Sequence, residues 1–211
     1  MLGQGARAAV GRFWAPVVTR LARAGVTPDM VTVTGTLGAI AGAVLLIAHG
    51  QLFWGAATVT VFVLLDMLDG ALARARGGGS AFGAVLDSTC DRAVDAAVFG
   101  ALVWWYTGAG DDRLLALLAL VALVLGVLTS YTKARAEGVG IPCDVGLVER
   151  TERLILVLTG TGLTGLGLPY LVDVGLWLSV VGGAITVAQR IAAVHRGARG
   201  KAAPTASAPA R

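Results

Sequence analysis

The sequence predicts an all-α integral membrane protein: six transmembrane helices preceded by an N-terminal interfacial amphipathic helix. Three observations predict it. The 211 residues are 56% hydrophobic and only 14% charged, with mean hydropathy +0.77, which is too apolar for a soluble domain of this length. Runs long enough to cross about 30 Å of hydrocarbon fall at 31–49, 52–73, 84–108, 114–132, 150–167 and 172–194. Finally, six spans bring both termini to one side, and of the 17 Lys and Arg residues every one but Arg113 falls on that side. Basic residues flank spans on the inside, so both termini face the cytoplasm of a cell-membrane protein.

Each element has its own signal. Residues 1–26 are too polar to span, but Val10, Phe13, Trp14, Val17 and Leu21 share one helical face and Arg12, Arg20 and Arg23 another, as in a helix lying on a membrane surface. Arg7 breaks the pattern, and the arginines throughout argue against a cleaved signal peptide. Thr27-Pro28-Asp29 turns the chain into the first span. Short breaks follow at His49-Gly50-Gln51, at Gly77-Gly78-Gly79-Ser80, from Thr107 to Asp112 and around Pro169, with a longer polar stretch from Lys133 to Glu149. The spans make one domain over 27–196, and residues 197–211, rich in Ala, Pro and Arg, read as a disordered cytoplasmic tail.

Composition also excludes function classes. Cys90 and Cys143 are far apart and offer neither metal spacing nor a disulfide scaffold. The net charge of +4 and the pI near 9.6 match anionic lipid headgroups and not a nucleic-acid partner, given the hydropathy.

The informative segment starts at the inner end of the second span, where Asp66 and Asp69 are three apart on one helix, and Asp87 and Asp91 four apart on the next. Each pair shares a face, and the loop 75–82 folds the two helices back antiparallel, so four carboxylates converge. Ionised groups in a span need partners. An all-oxygen cluster fits a pair of divalent cations, magnesium or manganese, better than packing ion pairs with Arg74, Arg76 and Arg92. Two such ions clamp a pyrophosphate in phosphoryl transfer. Gly70, Ala73 and Gly83 leave room for a bulky ligand, and Arg74 stands one turn beyond Gly70 to meet a phosphate. For Asp95, one turn past Asp91, two readings stand side by side: a further ligand, or a buried partner of an arginine.

These residues form a pattern. Asp66-x2-Asp69-Gly70-x2-Ala73-Arg74-x8-Gly83-x3-Asp87-x3-Asp91 resembles the signature of the CDP-alcohol phosphatidyltransferase family at all eight fixed positions. The resemblance covers 27–194. It implies a homodimeric membrane enzyme that moves a phosphatidyl group from CDP-diacylglycerol to an alcohol and releases CMP. It further implies that Asp66, Asp69, Asp87 and Asp91 hold two Mg2+ ions, with Asp91 also the catalytic base. Asp29, Met30, Val31, Thr32, Gly70, Arg74 and Ser80 would then contact the CDP-diacylglycerol.

Acceptor choice should lie outside that signature. Lys133, Arg135, Arg150, Arg153 and Arg190 form a second basic set; snorkelling and topology explain part of it. Several cations facing a donor whose charge is already met point to a second anionic substrate, a phosphorylated polyol. The string Tyr131 to Gly138, with Glu149 to Leu154, Gln189-Arg190 and Thr27 to Thr32, is similar to the actinobacterial phosphatidylinositol phosphate synthases within that family. That similarity implies 1D-myo-inositol 3-phosphate (inositol 1-phosphate) as acceptor, with Lys133, Arg135, Arg153 and Arg190 on its phosphate. Arg150 pairs with Glu149 or with lipid headgroups. Glycerol 3-phosphate, giving phosphatidylglycerol phosphate, is the rival acceptor, and a non-catalytic ion-conducting protein is the rival class. A membrane prenyltransferase would need a second aspartate-rich motif in a later span, and the sequence has none. Of the remaining polar residues, His49 caps the first helix or meets water, Cys90 packs beside the site, and Trp104-Trp105-Tyr106 forms an interfacial belt.

Overall fold

The computed structural model describes residues 20, 23–75 and 78–202. Of the interfacial helix expected over 1–26, residues 1–19, 21 and 22 lie outside the described residues, and with them Arg7 and Arg12 of the positive-inside pattern, as do Arg76 and Arg211. Among the described residues, regular structure is entirely helical. It comprises α1 (Pro28–Leu45), α2 (Leu52–Ala75), α3 (Ala81–Thr107), α4 (Arg113–Gly138), α5 (Arg150–Gly165) and α6 (Leu171–Ala202), with one 3-10 turn at Ile47–His49.

Local chemistry sets these limits. The Thr27 hydroxyl accepts from Met30 N at 3.2 Å with Pro28 in the first turn of α1, so the expected Thr-Pro-Asp start is where the helix opens. Ser80 caps α3 by accepting from Gly83 N at 2.8 Å, and Asp112 caps α4 by accepting from Leu115 N at 3.0 Å. Gly50 closes the turn after α1 at φ +79°, a left-handed conformation that glycine adopts without a Cβ penalty. There His49 Nδ1 lies 3.2 Å from Val44 O, the local cap expected of it.

Around the bundle each helix packs on the next in the order α1, α3, α4, α6, α5, α2 and back to α1, a closed ring. One apolar core fills it, including Ala43, Val59, Phe99, Leu102 and Leu176. α1 and α2 approach closely because Gly35, Gly38 and Gly42 of α1 lie against α2: a Cβ on Gly38 would stand 2.3 Å from the Phe62 ring. Large apolar side chains such as Leu37, Leu117 and Val181 face outward, as lipid-facing groups do.

Four segments are long and apolar enough to cross a membrane on their own: Pro28–His49, Leu52–Ala75, Arg113–Gly138 and Leu171–Arg199. The other two helices miss that standard for different reasons. α3 carries Asp87, Asp91, Arg92 and Asp95 between its start and its midpoint region, and α5 is only 16 residues long. Two further expectations change. α6 continues to Ala202, through the first residues of the segment read as a disordered tail, and Ile141 packs against it at Gly197. The Trp-Trp-Tyr group divides: Trp104 is exposed, Trp105 lies against Gly50 and Gly110, and Tyr106 is buried.

Candidate active site

The aspartates meet where the C-terminal end of α2 lies beside the N-terminal end of α3. One carboxylate oxygen from each of Asp66, Asp69 and Asp87 falls within 4.8 Å of the others. Asp69 is held from two sides: its Oδ2 accepts from the Thr32 hydroxyl of α1 at 2.5 Å, and its Oδ1 accepts from Gly70 N. Asp66 Oδ1 is buried and has no hydrogen-bond partner. A buried, unpartnered oxygen in a knot of three carboxylates is unfavourable by itself. With only oxygen donors it fits a hard divalent cation that keeps open coordination positions.

The segments read as donor-binding gather at the same end. Asp29, in the first turn of α1, lies against the first turn of α3: a Cβ on Gly83 would sit 3.3 Å from Asp29 Oδ1. Val31 packs with Leu68 and Leu72 of α2, whereas Met30 is exposed. Arg74 Nη1 is the nearest group to the open flank of Gly70, at 3.4 Å from where a Cβ would stand. Ser80 is spent on capping α3.

Asp91, one turn deeper on α3, meets cations. Its Oδ1 takes Arg150 Nη1 at 2.8 Å, and Arg92 Nη2 stands 3.8 Å from its Oδ2. Arg150 therefore pairs with Asp91 and not with Glu149. Asp95 resolves as the buried partner of arginines: only 1% exposed, it takes Arg153 Nη2 at 2.6 Å, with Arg92 and Arg150 each at 3.5 Å. Arg92 also donates to the Ser130 hydroxyl of α4. Arg153 is itself buried, over the Phe99 ring at 6.0 Å and against Gly126, where a Cβ would lie 2.6 Å from its Cζ.

Arg190 works as a staple between α4, α6 and the loop before α5. Its Nε donates to Val145 O at 2.8 Å, Nη1 to Thr129 O at 2.7 Å and Nη2 to Glu149 Oε1 at 2.5 Å. One turn earlier, the Thr186 hydroxyl accepts from Leu147 N and Val148 N at 3.1 and 3.0 Å, fixing the same loop. Glu149 opens α5 in a capping box with Glu152. Lys133 reaches this loop through Asp144 at 2.5 Å, and that hydrogen bond, reinforced by the lysine's charge, holds the Asp144 carboxyl below the usual carboxylate range. Arg135 lies elsewhere. It lines a groove of about 300 Å³ between α4 and α6 with Tyr131, Thr132, Ile191 and Val194.

The structure thus brings Asp66, Asp69 and Asp87 together, joins Asp91 to Arg150, and gathers Lys133, Arg153 and Arg190 around α5, while Arg135 stands apart. Sequence reasoning missed the link from Arg150 to Asp91, the seat of Arg153 at Gly126 and the loop anchor at Thr186. None of these three leaves a local signal in the sequence; the nearest one is the Glu149-x2-Glu152 spacing of the capping box that opens α5.

Residues 25–195 match the family model described as CDP-alcohol phosphatidyltransferase. The chain belongs to the CDP-alcohol phosphatidyltransferase family. Within it, the chain is 49% identical over 192 residues to the phosphatidylinositol phosphate synthase of Mycolicibacterium smegmatis, covering 90% of this chain and 86% of that one. Two crystal structures of the Mycobacterium tuberculosis phosphatidylinositol phosphate synthase are similar throughout. The one in complex with manganese and citrate has a TM-score of 0.84 at 48% identity and covers 90% of this chain and 92% of that one. The one with CDP-DAG bound has a TM-score of 0.86 at 47% identity and covers 93% and 100%. A relative of the same fold has thus been crystallised in complex with manganese.

Proposed function

We propose that this enzyme transfers the phosphatidyl group of CDP-diacylglycerol to the hydroxyl of inositol 1-phosphate, giving phosphatidylinositol phosphate and CMP. The observation that carries this reading is an acidic knot at α2 and α3 whose helix face continues through Asp91 and Asp95 to the arginines of α5, with Arg153 and Arg190 both buried. One half suits a pyrophosphate donor and the other a phosphorylated acceptor.

Asp66, Asp69 and Asp87, with Asp91, would hold two divalent ions, Mg2+ or Mn2+. Bound there, the ions would neutralise charge on the pyrophosphate and on the departing CMP. Thr32 keeps Asp69 aligned for this. The open backbone at Gly70 and Gly83, with Arg74 alongside, receives the nucleotide part of the donor, next to Asp29, Met30, Val31 and Ser80. With Arg150 on Asp91 Oδ1, the Oδ2 of the same carboxylate would serve both as metal ligand and as acceptor of the proton from the acceptor hydroxyl as it attacks the β-phosphorus. The bond from that phosphorus to the bridging oxygen breaks, and CMP leaves without a covalent enzyme intermediate. Lys133, Arg153 and Arg190 would hold the acceptor phosphate, whereas Arg135 in its separate groove is better suited to a lipid headgroup.

The same reading places the reaction at the cytoplasmic face of the cell membrane. Arg74, Lys133, Arg150 and Arg190 gather at one end of the bundle, and Arg113 opens α4 at the other. All six helices cross in this account: α3 hides its charges in the ring, and α5 is short. The working unit is a homodimer. The test is CMP release by purified protein from CDP-diacylglycerol and Mg2+ with inositol 1-phosphate, glycerol 3-phosphate, serine or free inositol. Release with inositol 1-phosphate alone is expected. Preference for glycerol 3-phosphate would reassign the acceptor, and no release with any acceptor would favour an ion-conducting role.

A further inference from the structure

The deepest charged group of the site is unaccounted for by the chemistry above. Asp95 takes no part in the acidic knot and is buried in the ring, one turn past Asp91 on α3. One carboxylate there faces three guanidiniums, from Arg153 at 2.6 Å and from Arg92 and Arg150 at 3.5 Å. α3 and α5 are not neighbours in the ring order, so the Asp95–Arg153 pair spans its interior. It does so over Gly126, the one residue of α4 whose missing side chain makes room for the guanidinium. Arg153 Nε and Arg150 Nε are both buried without a hydrogen-bond partner, so Asp95 is the chief polar restraint on where Arg153 points. A planar, forked cation meets a phosphate through two parallel hydrogen bonds, and fixing its orientation beforehand lowers the ordering cost of binding.

We propose that Asp95 is a positioning residue for the acceptor half of the site, orienting Arg153 towards the acceptor phosphate without touching substrate itself. This rests on the reading of Arg153 as an acceptor ligand. Wild-type turnover with inositol 1-phosphate is therefore measured first, and its absence would count against that reading and not against Asp95. With an active wild type, the test is Asp95→Asn, which keeps the shape and removes the charge. The acceptor KM should rise roughly 10–100-fold, the usual cost of losing a supporting partner of a ligating side chain, while the KM for CDP-diacylglycerol stays within about twofold. In an Arg153→Ala background the same change should add less than about twofold to the acceptor KM, because the two act as one unit. A merely structural role would raise both KM values together, or multiply with Arg153→Ala; either result overturns the proposal, as does an unchanged acceptor KM. If Asp95→Asn does not fold, Asp95→Glu takes its place. It keeps the neutralising charge but displaces it by one methylene, so the same selective rise is expected, and wild-type KM values for both substrates would refute the assignment.

Discussion

Two clusters of charge lie side by side at one end of this bundle and are treated in opposite ways. Where α2 meets α3, Asp66, Asp69 and Asp87 crowd together with no cation paired to them among the described residues, and one buried oxygen has no partner. Where α3, α4 and α5 meet, Asp95 is surrounded by arginines, and Arg190 has each of its three nitrogens engaged. The first cluster leaves its charge to be met by something that binds. The second meets its charge within the chain, so it can hold shape without a ligand. Asp91 belongs to both: it continues the acidic face but is gripped by Arg150.

That contrast can be broken one side at a time. The largest effect should come from the shared residue: Asp91→Asn should lower kcat by about 10²–10⁴-fold, the usual contribution of a general base, with the protein still folded by circular dichroism. Next, Asp87→Asn should raise the Mg2+ concentration needed for half-maximal CMP release by more than the roughly 10–100-fold that losing a supporting partner costs, and leave the acceptor KM almost unchanged. On the other side, Gly126→Ala would drive a methyl into the Arg153 guanidinium and should raise the acceptor KM by about tenfold, as expected for roughly 1.4 kcal/mol of lost binding, without altering the Mg2+ requirement. Thr186→Val strips Leu147 N and Val148 N of their acceptor. It should cost about 1–3 kcal/mol of stability, read as a lower unfolding temperature in detergent. The smallest effect belongs to Asp144→Asn, which removes an exposed ion pair with Lys133 and should leave the unfolding temperature unchanged.

Much of the acidic side was legible in the sequence because it is local. Spacings of three and four on two consecutive helices place carboxylates on one face, and a short loop brings the faces together. The basic side was not, since its partners are distant in the chain: Asp95 and Arg153 are 58 residues apart, and Thr129 and Arg190 are 61 apart. Hydropathy located all six helices. It did not reveal that α3 hides its charges by turning them into the ring, or that α5 is too short to qualify as a span alone. Arg135 shows the limit of counting charges: two residues from Lys133 on a helix means nearly opposite faces, so the two cations do not share a pocket.

The claim on which the rest depends is that the carboxylates of α2 and α3 bind divalent metal, and binding of Mn2+ to the purified protein, followed by electron paramagnetic resonance, tests it directly. Wild type should take up Mn2+ that Mg2+ displaces, and an Asp66→Asn/Asp69→Asn double variant that still folds should lose it. Equal Mn2+ uptake by the two proteins would contradict the account.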